Sequence, residues 1–152
     1  MAALAIGAAA PAFELPTGDG RTIALDDFRG KKVVLYFYPK DDTPGCTKEA
    51  CSFQENLATV KKKGAAVLGV SIDSPASHAK FSGKYSLSFP LLSDETKTVV
   101  RKYGVWKKKS MYGKTYMGVE RTTFIINEKG RIMSIFPRVK VVGHTREVLD
   151  NL

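Results

Sequence analysis

Two continuous apolar runs in the first half of the chain limit the folds that it can adopt. They are KKVVLYFYP, which begins at Lys31, and AAVLGVSID, which begins at Ala65. Apolar runs of this length are typical of strands that are buried on both faces of a sheet. Between them the apolar spacing changes to that of a helix. The chain therefore alternates strand and helix, which is the order of an α/β protein.

The segment between the two runs predicts an amphipathic helix that ends near Gly64. From Cys46 onward, apolar residues recur at spacings of three and four, at Ala50, Phe53, Leu57 and Val60. That spacing places them on one face of a helix.

The remaining elements complete a central mixed sheet flanked by helices. AFELPTGDGRTIAL predicts an N-terminal β-hairpin, and RTTFIINEKGRIMSIFPRV predicts two strands joined by an Asn-Glu-Lys-Gly turn. Ser74, Asp94 and Thr145 have the residue types that begin helices, and Pro75 suits a first helical position. No repeat, low-complexity tract or linker divides the chain, so residues 1–152 are expected to form a single domain.

Composition favours a soluble, cytoplasmic protein. No apolar run approaches the roughly 20 residues that a membrane-spanning helix needs. The Ala-rich opening has no Lys or Arg before Arg21, so it lacks the positive segment of a secretory signal. A non-secreted chain with only two cysteines points to reactive thiols or a metal site rather than a disulfide scaffold.

The net charge of +9 raises the possibility of nucleic-acid binding. Two lysine runs, 61–63 and 107–109, contribute to it, the first in the last turn of a predicted helix and the second in a stretch with loop character. No zinc-finger, RNA-recognition or helix-turn-helix signature accompanies them. We therefore expect no nucleic-acid partner, and an acidic protein partner explains the charge at least as well.

Cys46 occupies a position where a thiol is activated. With Thr43 as N-cap and Pro44 at the first helical position, Cys46 lies in the first turn, where free backbone N–H groups favour anions. There a cysteine can be mostly thiolate at neutral pH. Asp41 and Asp42 would oppose this.

A cation near Cys46 is therefore needed, and the sequence offers several. Lys40, Lys48 or an arginine from elsewhere in the chain could supply it, and the residues alone do not rank them. Glu49 and Gln54 follow on the same helix and could orient groups there, although exposed polar residues are the more common interpretation.

The spacing of Cys46 and Cys51 argues against a permanent disulfide. On an intact helix, residues five apart have Cα atoms separated by roughly 8 to 9 Å. A disulfide needs Cα atoms within about 7 Å, so the first turns of the helix must unwind before the bond can form. The spacing predicts a bond that forms and breaks during turnover.

Other candidate residues have weaker patterns. His78 and His144 do not combine with the cysteines at a zinc-like spacing, so no metal site is expected. Five apolar residues could line an access route for a bulky substrate, although ordinary packing explains them more simply: Trp106, Met111, Tyr112, Tyr116 and Met117.

The segment YFYPKDDTPGCTKEAC resembles the active-site segment of the peroxiredoxins, in particular the bacterioferritin comigratory protein or peroxiredoxin Q group of the atypical two-cysteine type. Pro39, Thr43 and Cys46 fill the pattern P-x-x-x-[TS]-x-x-C, and Cys51 follows five positions later. The resemblance spans nearly the whole chain, since it also covers PAFELPTGDGRTIALDDFRGKKVVLYF, VLGVSIDS, YGVWKKK, YGKTYMGVERTTFIIN and the C-terminal helix.

This resemblance implies a thioredoxin-like fold and a cysteine peroxidase that uses no cofactor. Cys46 would be the peroxidatic cysteine and Cys51 the resolving cysteine, with Arg121 of ERTTFII against the peroxidatic sulfur. Thr43 and Pro44 would complete the site, with the Thr43 hydroxyl stabilising charge on the breaking bond. Thioredoxin would be the reductant, and the protein would be a monomer.

The same disulfide chemistry would also suit a thiol-disulfide oxidoreductase or a redox-sensing module without peroxidase activity. The absence of C-x-x-C and the combination of Thr43, Cys46 and Arg121 favour the peroxidase, because simple exchange has no use for a site that stabilises an oxyanion.

Overall fold

The computed structural model describes residues 4–152 of the chain. In chain order its elements are β1 (Glu14–Pro16), β2 (Thr22–Ala24), a 3₁₀ helix (Leu25–Phe28), β3 (Lys32–Phe37), α1 (Pro44–Glu55), α2 (Leu57–Lys62), β4 (Ala65–Ser71), α3 (Pro75–Tyr85), β5 (Leu91–Ser93), α4 (Thr98–Lys102), β6 (Trp106–Met111), β7 (Lys114–Val119), β8 (Thr122–Ile126), β9 (Ile132–Phe136) and α5 (His144–Asp150). Within the described range, no helix is both long and apolar enough to cross a membrane.

The central sheet has five strands in the order β5-β4-β3-β8-β9. The strands β5, β4 and β3 run parallel, whereas β8 is antiparallel to both β3 and β9. The predicted hairpin forms a separate antiparallel pair, β1-β2, in which Leu15 lies opposite Ile23. A mixed sheet with helices around it confirms the predicted α/β, thioredoxin-like architecture.

The position of β3 in the middle of the sheet explains why its residues from Val33 to Phe37 are all apolar. Val33, Leu35 and Phe37 belong to one hydrophobic cluster, whereas Val34 and Tyr36 belong to a second cluster on the other face of the sheet. Alternate side chains of a strand point to opposite faces, so both faces of this strand are buried. The second cluster includes Cys46, Ala50 and Phe53, which places α1 against that face.

The single helix predicted between the two strands is in fact two helices, α1 and α2, separated at Asn56. The predicted apolar face is correct, since Ala50, Phe53, Leu57 and Val60 are all buried. The break arises at Asn56, which has φ −103° and ψ 7° and whose side-chain amide donates to the Ser52 carbonyl at 2.9 Å. Asparagine side chains compete in this way with the backbone bonds of a helix.

The predicted helix starts are correct at Ser74 and displaced at the other two positions. The Ser74 hydroxyl accepts from the Ser77 N–H at 3.2 Å, as expected of an N-cap. Asp94 precedes the N-cap position of α4, yet its carboxylate accepts from the Val100 N–H at 2.8 Å and satisfies a first-turn donor. The helix α5 begins one residue before Thr145, at His144.

The prediction of a loop at the 107–109 lysine run is wrong, because these residues lie in β6. The strands β6 and β7 pair as a two-stranded antiparallel sheet, which we call the β6–β7 ribbon. Tyr112 and Gly113 form its turn with φ values of 51° and 76°, as the tight turns of hairpins require. Trp106 packs against the core, whereas the other four apolar side chains of the ribbon that the sequence singled out are exposed.

Candidate active site

Cys46 lies in the first turn of α1 and is 2% exposed. The helix begins at Pro44, and Thr43 has the extended backbone of an N-cap, with φ −94° and ψ 156°. Both cysteines have free thiols. Cys51 also lies on α1, which confirms the prediction that the two cysteines share one helix. Helix geometry leaves the N–H groups of Gly45 and Cys46 without intrahelical partners, so they are available to an anion beside the sulfur.

Arg121 supplies the cation that the sequence required near Cys46. It lies between β7 and β8, and its Nη2 donates to the Cys46 Sγ at 3.3 Å. The same nitrogen would lie 3.2 Å from a Cβ atom added to Gly45. A side chain at position 45 would therefore press on the guanidinium, which explains a glycine in the first turn of this helix. Lys40 and Lys48 are exposed.

Glu49 binds the other end of the guanidinium, and its interpretation as an exposed residue is wrong. Arg121 Nη1 donates to Glu49 Oε1 at 2.7 Å, and the Glu49 side chain is 1% exposed. Glu49 follows Cys46 by three positions, so the two side chains project from one side of α1 and bind one arginine. The three-residue spacing of Cys46 and Glu49 was the sequence signal for this arrangement. It was not sufficient, because Arg121 is remote in sequence and buried glutamates are rare.

Burial raises the pKa of Glu49 to about 7, even though the charge and hydrogen bond of Arg121 act in the opposite direction. Its second oxygen, Oε2, has no hydrogen-bond partner in the described part of the chain. A carboxylate in this place is favoured by the arginine and disfavoured by lost hydration. Arg121 thus bridges the Cys46 sulfur and a carboxyl group that can take up a proton.

Titration of Glu49 should affect stability in a defined pH window. Because its pKa rises from 4.5 to about 7 on folding, its stabilising effect is fully present below pH 4.5 and declines as the pH rises to 7. We expect Glu49→Gln to remove this decline, which amounts to at most about 3 kcal/mol. Urea unfolding between pH 4.5 and 8 would measure it.

Glu55→Gln is the matched control for that measurement, since Glu55 is an exposed glutamate on the same helix. It should keep the wild-type decline of stability with pH. Equal pH dependence in the wild type and Glu49→Gln would show that the buried carboxyl does not titrate in this range.

Thr43 has a different orientation from the one expected of a donor to the breaking bond. Its hydroxyl donates to the Lys40 carbonyl at 2.9 Å. A hydroxyl has one proton and two lone pairs, so its remaining capacity is to accept a hydrogen bond. The geometry thus suits Thr43 to accept a hydrogen bond from the O–H group of a hydroperoxide rather than to donate one to the departing oxygen.

Asp41 and Asp42, which were expected to oppose the thiolate, each have partners away from the sulfur. Asp41 is buried and bonds to Tyr38, Ser77 and His78 at distances between 2.6 and 2.8 Å. Asp42 pairs with Lys84 at 2.9 Å, and the lysine and Tyr85 lower its pKa. These contacts fix the segment before α1, and the Asp42 carboxylate is paired with a lysine.

The two histidines lie in separate networks. His78 contacts Asp41 and the Leu92 carbonyl, whereas His144 contacts Thr123 at 2.8 Å and Glu147 at 2.9 Å. Over residues 4–152, no group of three or more His, Cys, Asp or Glu side chains is placed to hold a metal ion.

Cys51 differs from Cys46 in its surroundings. Burial and the nearby Glu55 carboxylate raise the pKa of Cys51, which keeps it as a thiol. In contrast, Cys46 has a guanidinium against its sulfur. The two thiols therefore differ in the charge beside them, a guanidinium at Cys46 and a carboxylate near Cys51.

A buried cysteine at a helix N-terminus, held against Arg121, is the arrangement that the resemblance to the peroxiredoxins implies. Residues 6–135 match the AhpC/TSA family. The chain is 54% identical to a putative peroxiredoxin, bcp, of Coxiella burnetii, over 97% of both chains. It is 46% identical to peroxiredoxin Bcp of Bacillus subtilis, over 97% of this chain and 94% of that protein.

Solved structures agree with these relatives. The bacterioferritin comigratory protein of Xanthomonas campestris, described for its alkyl peroxide reduction activity, is 42% identical with a TM-score of 0.87, covering 91% of this chain and 88% of that one. A cysteine mutant of Xylella fastidiosa PrxQ is 37% identical with a TM-score of 0.93, covering 99% and 96%. The chain belongs to the AhpC/TSA family, among its Bcp peroxiredoxins. It is a thiol-dependent peroxidase, whose substrate is a hydroperoxide and whose electrons come from a thiol.

Proposed function

We propose that Cys46 is the peroxidatic cysteine, that Cys51 resolves it, and that Thr43, Pro44 and Arg121 form the rest of the catalytic site. The observation that carries this assignment is the 3.3 Å contact between Arg121 Nη2 and the Cys46 sulfur at the start of α1. A guanidinium in this position favours the thiolate and can stabilise charge on a breaking O–O bond.

The first step is nucleophilic attack by the Cys46 thiolate on one oxygen of the hydroperoxide. The S–O bond forms as the O–O bond breaks, and the departing oxygen leaves as water or an alcohol after it takes a proton. Arg121 and the N–H groups of Gly45 and Cys46 stabilise the charge that develops. Thr43 orients the substrate by accepting a hydrogen bond from its O–H group, and Pro44 limits access of water to the sulfur.

The second step is formation of a Cys46–Cys51 disulfide with loss of water. The α1 turns between the two cysteines must unwind for it. Two contacts fix the helix directly after Cys51: the Ser52 hydroxyl bonds to the Thr145 hydroxyl at 2.6 Å, and the Phe53 ring stacks on Tyr36 at 4.7 Å. While α1 remains folded, a second peroxide can oxidise the sulfenic acid further.

The disulfide form should exchange its α1 amides faster than the dithiol form. We expect faster exchange for residues 47–54, because several helical hydrogen bonds are broken, and unchanged protection for residues 33–38 in the central sheet. Hydrogen exchange with mass spectrometry on both redox forms measures this. A Cys51→Ser variant given the same oxidant serves as the control. Equal protection of residues 47–54 in the two forms would contradict the unwinding mechanism.

The external reductant in this proposal is thioredoxin, and residues 1–152 act as one domain in a cytoplasmic monomer that takes no nucleic-acid partner. Reduction by a dithiol suits a disulfide that forms in every cycle. Size-exclusion chromatography with light scattering tests the oligomeric state.

The decisive experiment for the activity follows peroxide loss coupled to NADPH, thioredoxin reductase and thioredoxin. We expect hydrogen peroxide and an organic hydroperoxide to be consumed with equimolar NADPH oxidation. A protein that reduced insulin disulfides without consuming peroxide would instead be the oxidoreductase that the sequence left as the alternative.

A further inference from the structure

The β6–β7 ribbon carries an exposed apolar surface that the chemistry at Cys46 does not use. Tyr112 at its turn is 97% exposed, and Met111, Tyr116 and Met117 are 55%, 44% and 49% exposed. These are four of the six large apolar side chains that are exposed in the described part of the chain. Single exposed apolar residues are ordinary, but a cluster on one small ribbon marks an interaction surface.

All charged side chains in the two strands of the ribbon are positive. Lys107, Lys108, Lys109 and Lys114 lie in its two strands, and the sequence has no Asp or Glu between Glu95 and Glu120. Lysines on edge strands discourage pairing with other strands. A surface of this composition attracts an acidic partner over a distance of about 10 Å at moderate salt.

Strand register divides these residues between two faces. Lys107 lies opposite Gly118, Lys109 opposite Tyr116, and Met111 opposite Lys114. Side chains alternate along each strand, so these residues share one face. We call its exposed members, Lys107, Met111, Lys114 and Tyr116, the basic face. The opposite face includes Lys108 and Met117.

The face of the ribbon that carries these lysines also includes half-buried Lys109, and β7 ends two residues before Arg121, which contacts the Cys46 sulfur at 3.3 Å. The stem of Lys109 runs over Gly118, where an added Cβ would lie 3.2 Å from the Lys109 Cδ. Burial and the Arg121 charge lower the pKa of Lys109, while Cys46 and Glu120 act against them. Lys109 is thus within electrostatic reach of Cys46, and β7 itself leads into Arg121.

We propose that the basic face is the docking surface for a protein dithiol reductant that has an acidic surface with an apolar centre around its cysteines. This inference rests on the proposed Cys46–Cys51 disulfide. A thiolate of the partner attacks one sulfur of that bond and releases the other as a thiolate. The second thiol of the partner then attacks the mixed disulfide, so the partner is oxidised and both cysteines are reduced.

A second copy of the chain fits the basic face poorly. In a twofold interface the same patch meets itself, so Lys107 and Lys114 would face lysines without acidic residues to offset them. A partner that carries reducing cysteines must approach the disulfide, and the ribbon leads through β7 into Arg121, which contacts the Cys46 sulfur. An anionic membrane offers the same charge complementarity but no electrons.

The test compares two double charge reversals that change the net charge equally. Lys107→Glu/Lys114→Glu alters the basic face, whereas Lys61→Glu/Lys62→Glu alters exposed lysines on α2. With thioredoxin as the probe, we expect the first variant to lose roughly tenfold in kcat/KM for thioredoxin and most of its salt dependence. The control should stay within about twofold of the wild type.

Two further measurements separate docking from chemistry in these variants. Single-turnover oxidation by hydrogen peroxide and reduction of the disulfide by dithiothreitol should match the wild type in both. If peroxide could not oxidise the wild-type protein, the proposed function itself would be refuted. If the wild type were oxidised normally but Lys107→Glu/Lys114→Glu did not change the kinetics with thioredoxin, only the docking surface would be refuted.

A second pair of variants tests the apolar part of the basic face. Tyr116 and Met117 are adjacent and similarly exposed but lie on opposite faces. We expect Tyr116→Thr to raise the KM for thioredoxin and Met117→Thr to leave it unchanged; threonine keeps the strand preference.

Equal effects in this pair, equal losses in the two double variants, or a change of oligomeric mass in Lys107→Glu/Lys114→Glu would overturn the proposal. So would loss of binding to phosphatidylglycerol vesicles with unchanged thioredoxin kinetics.

Discussion

Replacing Cys46 with serine should abolish peroxide reduction. A serine hydroxyl beside Arg121 remains protonated at neutral pH, and an alcohol is a far weaker nucleophile toward a peroxide oxygen than a thiolate. The buried site would otherwise change little, because the two side chains differ by one atom. The expected result is a rate indistinguishable from that of buffer, both in a single turnover and in the assay coupled to thioredoxin.

Cys51→Ser is the comparison that gives this result its meaning. Attack and resolution are separate steps, so this variant should complete one stoichiometric oxidation and then fail to be recycled by thioredoxin. The single turnover must be followed without added thiol, because a small thiol could resolve the sulfenic acid in place of Cys51. Equal loss of the first turnover in both variants would contradict the assignment of roles.

The parts of the structure that sequence reasoning predicted are those whose physical cause is local. The apolar run from Val33 to Tyr38 reflects burial on both faces of the sheet, and the burial is directly visible in its composition. The start of α1 is likewise local, since the N-cap Thr43, Pro44 and Cys46 are consecutive or nearly so. Such features need no knowledge of the rest of the chain.

The features that were missed depend on contacts between distant segments or on exposure. Glu49 is buried because Arg121 reaches it from the β7–β8 connection, and nothing near Glu49 in sequence indicates that partner. Arg121 itself was identified through resemblance to a family and not through its neighbours. The strand β6 has a run of three lysines, of which Lys107 and Lys108 are exposed, and it lacks the alternation of apolar and polar residues that marks a half-buried strand.

Replacing Arg121 with alanine should slow single-turnover oxidation of Cys46 by roughly a hundredfold, the usual cost of losing one positioned donor of charge-assisted hydrogen bonds. Its Nη2 contacts the sulfur at 3.3 Å, so the variant loses stabilisation of both the thiolate and the transition state. The pH–rate profile should therefore also move to higher pH. Stopped-flow oxidation from pH 5 to 9 measures both effects. Arg101→Ala, at an exposed position on α4, should leave both unchanged.

Arg121→Ala has a second consequence, because it leaves the buried carboxyl of Glu49 without its partner at 2.7 Å. An unpaired buried charge destabilises the fold by several kcal/mol or takes up a proton, so a slow variant could simply be a poorly folded one. The double variant Arg121→Ala/Glu49→Gln separates the two causes, since a neutral amide removes the unpaired charge. It should regain much of the free energy of unfolding while its oxidation stays about a hundredfold slow.

Arg121→Lys should recover little of the rate, because one ammonium group cannot bond to the sulfur and to Glu49 with the planar geometry of a guanidinium. If the double variant oxidised at the wild-type rate, the role of Arg121 would be to pair with Glu49, and another group would have to stabilise the thiolate.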